Sequence, residues 1–562
     1  MTDTTVTETT TPETTEAPEG YGAWLGGTDH KSVGTFCLVI AFLFLLAGGG
    51  LAAAMRTQLV QPDLSVLARR PYLQLTTLHG TFSFFLFLLP AWVGIAFAIV
   101  PLQLGASRLA LPRLAPMSVW LFISSGVALV ASTFAHGHTP TAGWSLDDPI
   151  PLHGLGGRAV DLWILGVGLA AAALVLAAVN LLVTVLRMRA PGLTLARLPM
   201  FSWSVFVASA VFLLATPVLV AGLVLLFVDH HLGAHVFDAR RAGDPLVWRT
   251  LFTFFAYPAM WATVLPALGV LCEIVPVFAK APLFQRRQVG LGLAVAGMFA
   301  MVGWGSELAG DSAVPQVFFS VTSLLILGPV ALTLLSLLGT IALSRRLPSF
   351  KAPLVQGLGL LSTLALALPA MAVMLALGTG RAGHASQWWV GAWHQLLVGG
   401  STFGIVCALY YWAPKLWGRH LSAGLGGLQM LVLVLGVDLA FVPLLIVGAQ
   451  GMRRHTPAYA ASSWGPANLV STIGAYLVVL AILLLLLNVF VSIVARRGRA
   501  AEADPWEGDT LEWATTSPPP PHNFDALPEV RSERPLFDLR SAERAESPEA
   551  VETPPEREAL PV

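Results

Sequence analysis

Charge is scarce in this sequence. Of its 562 residues 11% are charged and 55% hydrophobic, whereas soluble proteins average about 25% charged. A deficit on that scale excludes an ordinary soluble domain and puts the chain among polytopic membrane proteins. Lys plus Arg and Asp plus Glu come to 32 each, so neither sign is in excess and nothing points to a nucleic-acid partner. Cysteine is scarcer still. Cys37, Cys272 and Cys407 each lie inside an apolar run and form no CxxC pair. That excludes a disulfide framework and a cysteine metal site, and leaves three small core residues. Histidine is absent over one long stretch, with none between His235 and His384. Paired acidic groups at mid-membrane and a repeat of two halves are also missing, which counts against a transporter. The N-terminal residues 1–27, rich in Thr, Glu and Pro, lack the basic start and apolar core of a signal peptide and read as a disordered, solvated arm. Residues 501–562 are acidic and Pro-rich, with a run from Pro518 to Pro521, and read as a similar cytoplasmic tail.

What the sequence has in abundance is long apolar runs. Twelve of them approach the roughly 20 residues that a helix needs to cross a bilayer. They lie near 32–55, 74–103, 113–136, 159–187, 200–230, 247–276, 287–307, 313–345, 352–378, 386–415, 422–450 and 464–497. Such continuous runs are too long for barrel strands. The expected fold is all-α, a polytopic bundle of twelve transmembrane helices over residues 28–500. An even number of spans puts both termini on one side. With the termini inside, Arg108, Arg113, Arg187, Arg189, Arg197, Lys280, Arg286, Arg287, Arg345, Arg346, Lys351, Lys415 and Arg419 fall in inner loops. The outer loops carry Arg56, Arg69, Arg70, Arg158, Arg240, Arg241, Arg249, Arg381, Arg453 and Arg454. The bias is positive-inside but weak. The outer arginines ask for a reason of their own, and an anionic cofactor near the outer face would supply one.

Most histidines lie in loops or at span ends: His136, His138, His153, His230, His231, His235, His384, His420 and His455. His136 and His138 form an HxH pair that could hold a metal, although plain solvated histidines are the commoner case in a polar loop. Only His79 and His394 sit deep within apolar spans. An ionisable group in hydrocarbon is expensive and marks a partner or a ligand. Two such histidines on different helices can supply opposed axial ligands to one haem iron. On spacing alone, a hydrogen bond from each to a backbone carbonyl is the commoner arrangement. Arg453 and Arg454 are adjacent at an outer helix boundary. They suit forked bonds to carboxylates such as haem propionates, or a pair that snorkels at the interface. Arg56, at the outer end of the first span, and Tyr72 are further candidates for polar contacts to a cofactor.

Several stretches, in order, carry a family resemblance. TDHK at Thr28–Lys31, VPLQLGA at Val100–Ala106, MSVW at Met117–Trp120, AGW at Ala142–Trp144, VDL at Val160–Leu162 and MRAPGLT at Met188–Thr194 are joined by LFTFFAYPAMWATVLPALGVLCEIVP at Leu251–Pro276. YYWAPKLWGR at Tyr410–Arg419 and LEWATTSPPPPHNF at Leu511–Phe524 follow. Together they resemble subunit I of the haem–copper oxidases, the cytochrome c oxidase type, over about residues 28–525. The resemblance implies that family's twelve-helix bundle. It places the axial ligands of a low-spin haem on His79 and His394, against the commoner arrangement above. It places a contact to the haem periphery on Arg56, with the family's nearby tyrosine at Tyr72, and propionate-side groups on Trp144, Arg453, Arg454 and His384. Next to His384 the family's aspartate is replaced by Ala385.

The catalytic half of the pattern is not there. Where the family has the histidine of its second, high-spin haem, this chain has Ala392, two residues before His394. Where it has a copper histidine, a glutamate and a cross-linked tyrosine, this chain has Tyr257, Ala259 and Trp261. The family's histidine pair, the other two copper ligands, falls near Trp304–Gly305, and the long stretch without histidine means that no shift of alignment restores it. The proton paths are altered as well, with Arg108, Ala115 and Pro116 at one and Thr333 near the lysine position of the other. A copper site needs nitrogen ligands in close array, so no copper is expected. The expectation is one low-spin haem, with Arg56 favouring an a-type and b- or o-types remaining open, in a chain that carries electrons without an oxygen-reducing centre. Its expected partners are the membrane, a subunit II-like protein or a catalytic subunit I, and an electron donor and acceptor, with no nucleic acid. The expected location is a bacterial cytoplasmic membrane with both termini cytoplasmic. A haem-free structural subunit and an active oxidase are the rival readings, the second opposed by the missing ligands.

Overall fold

The structure is a computed structural model that describes residues 26–136, 140–141, 143–144, 157–307, 313–345, 347–377, 385–460 and 462–546. Residues 1–25 of the N-terminal arm lie outside the described residues, as do His138, His153, Arg346 and Arg381. The described residues are helical throughout, with no strand beyond two isolated bridges, Ser386 with Arg453 and Arg419 with Ala500. Lipid offers no partner to a backbone N–H or C=O, and helices satisfy both internally.

In chain order the helices are α1 His30–Gln58, α2 Arg69–Gln103, α3 Leu114–Phe134, α4 Arg158–Arg187, α5 Met200–Leu232 and α6 Pro245–Ala279. They continue with α7 Arg286–Gly303, α8 in two pieces at Ala313–Leu325 and Leu327–Ala342, α9 Ala352–Leu377, α10 Gln387–Trp417, α11 Ala423–Ala449 and α12 Gly465–Val489. Eleven of these helices are long and apolar enough to cross a membrane. The twelfth, α7, has 18 residues and opens on Arg286, Arg287 and Gln288, so its apolar part falls short of the length the sequence run suggested. The run near 313–345 is broken at Ile326, where Pro329 cannot donate to the carbonyl of Leu325.

Burial ranks the helices. The apolar window of α2 is 100% buried, that of α6 94% and that of α10 89%, against 22% for α1 and 28% for α12. Helices α2, α6 and α10 therefore form the centre, and α1 and α12 present apolar faces outward. Two of the central helices change pitch. Helix α2 runs as a π-helix over Phe82–Leu88, and α10 does so over Leu397–Thr402. The π stretch of α10 is tied into the core by Trp92 Nε1 of α2, which donates to Ser401 Oγ at 2.9 Å, and by Ser401 Oγ, which donates to the Thr263 carbonyl at 2.9 Å.

The segment after Arg499 departs from its reading as a solvated tail. Trp506, Leu511, Glu512 and Trp513 are buried, and a final helix, α13 Pro535–Glu546, follows them. Lys415, near the C-terminal end of α10, is buried and donates to the carbonyls of Ala503, Thr515 and Thr516 at 2.9, 2.7 and 3.2 Å. Asn523 donates to the Ala106 carbonyl at 2.7 Å and accepts from Lys31 Nζ at 2.9 Å. Glu512 accepts from Gln103 Nε2 at 3.0 Å and from Trp412 Nε1 at 3.4 Å. The tail's composition suggested solvent, but Trp506, Leu511 and Trp513 bury themselves against the ends of the helices.

Replacing Lys415 with Met removes an ammonium from three carbonyls. The expected loss is about 1.5–3 kcal/mol, read as a lower unfolding temperature in detergent with faster proteolysis of the tail. Burial lifts the Glu512 carboxyl above its ordinary range, against hydrogen bonds from Gln103 and Trp412 that lower it. Folding raises this pKa, so its contribution is complete below the ordinary carboxylate value and is lost as pH rises through the raised one. Thermal unfolding of the wild type should therefore show a loss on the alkaline side that Glu512→Gln flattens.

Candidate functional site

His79 and His394 come together from the two central helices that change pitch. Their ring centroids are 5.9 Å apart and their planes differ by 11°. His79 precedes the π stretch of α2 by three residues, and His394 precedes that of α10 by the same number. Such π segments often occur where a function has required an extra residue in a helix. Each ring is anchored. Nδ1 of His79 lies 2.9 Å from the Gly48 carbonyl, and Nδ1 of His394 lies 2.8 Å from the Val390 carbonyl. A carbonyl can only accept, so both Nδ1 atoms carry the proton, and each Nε2 keeps its lone pair. Among the described residues neither Nε2 makes a hydrogen bond. Gly48 brings α1 close enough for its carbonyl to reach the ring, since a Cβ there would lie 2.6 Å from Ser83 Oγ.

Two neutral imidazoles with anchored Nδ1 and free Nε2 lone pairs are a donor set for iron. A metal–imidazole bond is about 2.0–2.1 Å, so two such bonds plus two ring radii come to roughly 6 Å, close to the separation seen. Both histidines are half-buried, while Ala392 and Trp393 beside His394 are fully buried. The residues therefore fit a haem held from two sides.

Arg56 points its guanidinium toward α12. Nη2 donates to the Asn468 carbonyl at 2.8 Å, to Asn468 Oδ1 at 3.1 Å and to Thr472 Oγ1 at 3.4 Å. Its Nε is buried and, among the described residues, has no hydrogen-bond partner. Tyr72 is buried in a separate apolar cluster with Leu59, Leu444, Val447, Met452 and Tyr459. Phe441, which packs against that cluster, also lies 5.2 Å from the His394 ring.

Trp144 packs on α2 one residue from His79. A Cβ on Gly80 would meet the Trp144 ring at 2.7 Å, and the Gly143 amide donates to Thr77 Oγ1 at 3.1 Å. His455 lies against Gly143, which brings the loop of Arg453 and Arg454 to the same end of the site. That loop is fixed by the Gln387 amide, which donates to the Met452 carbonyl at 2.9 Å, and by the Arg454 amide, which donates to the Ala385 carbonyl at 2.8 Å. The Arg454 guanidinium lies 5.1 Å over the Trp389 ring. His384 lies outside the described residues.

On another side of α10 the packing is aromatic. The Trp393 ring meets Tyr257 at 5.7 Å, Trp261 at 5.9 Å and Trp389 at 6.1 Å. Trp304 packs on Phe254 at 5.0 Å. Tyr257, Trp261 and Trp393 are each 1% exposed and Ala392 is 0% exposed, so these positions are closed by carbon. Among the described residues the buried indole N–H groups of Trp261 and Trp393 have no hydrogen-bond partners, each a cost of about 1–3 kcal/mol.

A family model described as Cytochrome C and Quinol oxidase polypeptide I matches residues 32–477. The chain belongs to that family. A subunit 1-beta protein named for cytochrome c oxidase in Streptomyces avermitilis is 36% identical over 532 residues, which are 94% of this chain and 93% of the relative. The cytochrome c oxidase subunit 1 of Synechocystis sp. is 34% identical over 503 residues, 89% of this chain and 90% of the relative. A heme-copper terminal oxidase dimer solved by cryo-EM shares the fold, with a TM-score of 0.70 and 15% identity over 84% of this chain and 85% of that one. The chain is thus an integral, multi-pass membrane protein.

Sequence reasoning missed the two π stretches, Asn468 as the acceptor for Arg56, and Phe441 beside His394. Gly399 and Gly400 are a visible cue for the second π stretch, whereas Phe82–Leu88 carries only Pro90 beyond its end. Substituting Gly80 by Val should push the Trp144 turn off α2 at a cost of about 1–3 kcal/mol. Thermal unfolding in detergent checks it.

Proposed function

We propose that this chain holds one low-spin haem between His79 and His394 and passes single electrons within a membrane respiratory assembly, without an oxygen-reducing haem–copper centre of its own. The family works with other oxidase subunits in a membrane. The observation that carries the reading is the contrast around α10: His394 lies beside His79 with both Nδ1 atoms anchored, whereas Ala392 and Trp393 lie in closed packing with Tyr257 and Trp261 nearby.

A bound haem would supply a one-electron couple, and His79 and His394 would hold its iron. The chain's own residues do the rest. The Gly48 and Val390 carbonyls fix the tautomer of each imidazole and stop the rings from turning. Asn468 and Thr472 hold Arg56 in place near the outer end of α1, where its charge and buried Nε would meet a polar ring substituent. Arg453 and Arg454 would face the propionates from the loop that packs on the Trp144 turn, with His384 as a further group there. Tyr72 would support the ring edge. The type of haem follows from what Arg56 meets, and an a-type fits best. With Tyr257 and the Trp304–Gly305 pair at the family's copper-ligand positions, those places offer no imidazole, and no copper is expected. The partners are a subunit II-like protein or a catalytic subunit I, with an electron donor and acceptor. The location is a bacterial cytoplasmic membrane with both termini inside.

Reduced-minus-oxidised spectra of the purified chain, with haem and copper assays, test this. One low-spin haem per chain, no copper and no change with carbon monoxide is the expected outcome. A haem that binds carbon monoxide overturns the reading, and a chain without haem points to a structural subunit. His394→Ala should abolish the haem spectrum, with the helical circular dichroism retained.

A further inference from the structure

A second cluster of ligand atoms lies away from the haem site. Asp161, in the first turn of α4, meets His230 and His231, in the last turn of α5. Asp161 Oδ1 lies 3.1 Å from His230 Nδ1 and 2.8 Å from His231 Nε2. One ligand atom from each of the three residues lies within 4.8 Å of the others. The two imidazoles are 4.6 Å apart, and His231 is held by Phe227 at 4.4 Å. Side-chain exposures of 21% for His230, 39% for His231 and 31% for Asp161 leave the cluster open to ions.

We propose that Asp161, His230 and His231 form a binding site for a divalent transition metal of the zinc class, which clamps the outer ends of α4 and α5. Two imidazoles and a carboxylate suit Zn²⁺, Cu²⁺ or Ni²⁺, whereas Ca²⁺ and Mg²⁺ prefer oxygen ligands alone. Bonds of about 2.0–2.1 Å in a tetrahedral shell put ligand atoms a little over 3 Å apart, close to the two spacings seen. Three protein ligands leave a fourth position for water. Binding takes one ring nitrogen lone pair from each histidine, and the ring proton moves to the other nitrogen of the same neutral ring. The metal would hold together two helices that otherwise meet here through one shared carboxylate oxygen.

Calorimetric titration of the full chain in detergent with Zn²⁺ tests the proposal. The wild type should bind one more equivalent than a His230→Ala/His231→Ala variant, and Asp161→Asn should weaken that site at least tenfold. Equal stoichiometry in wild type and double variant overturns the site. Other histidines cancel in that difference. Should the double variant fail to fold, X-ray absorption of the zinc-loaded wild type decides: a shell with two imidazoles supports the site, and one without imidazole sinks it.

Discussion

Within hydrocarbon each backbone N–H and C=O must find its partner inside the chain, and this demand governs the molecule more than any side-chain contact does. Ordinary α-turns meet it almost everywhere. The two places where α2 and α10 widen into π turns lie just beyond His79 and His394. A π turn carries an extra residue, so side chains before and after it no longer share the register of a straight helix. The two histidines therefore belong to segments whose rotation is set separately from the helix ends that follow. Helix carbonyls also serve as acceptors for side chains. Those of Gly48 and Val390 accept from the imidazoles, and that of Thr263 accepts from Ser401.

The polar groups inside the bundle divide by face. At one end of the bundle Arg56 is held by Asn468 and Thr472, and the loop around Arg453 is pinned to the start of α10. At the other end Gln103, Glu512, Lys415 and Asn523 stitch the tail to the helix ends. Between them the centre is largely carbon, with Trp261 and Trp393 carrying N–H groups that find no acceptor. The packing there is thus bulky and tight at a polar cost, as expected where large aromatic side chains take up volume that polar groups could have occupied.

Much of the fold was legible because apolar runs of bilayer length have few alternatives. The runs failed as guides where length and polarity conflict, in α7 with its two arginines, and where Pro329 breaks α8. His79 and His394 stood out as ionisable groups in apolar stretches, and the structure brings them side by side. Asn468 did not stand out, since its role depends on where α12 lies against α1. The meeting of Asp161 with His230 and His231 is likewise tertiary, because the residues are about seventy positions apart in sequence. The tail was obscure for a different reason: its prolines and acids dominate the composition, and Trp506, Leu511 and Trp513 among them do the packing.

The Lys415 contacts carry a consequence for how the chain is made. Its acceptors at Ala503, Thr515 and Thr516 follow it by 88 to 101 residues. During synthesis α10 enters the membrane well before those carbonyls exist, and its C-terminal end waits with a bare ammonium while α11 and α12 are inserted. Closure of that end of the bundle is therefore a late event in biogenesis. Until then it stays unsealed, and a chain cut short before Ala503 would leave it so.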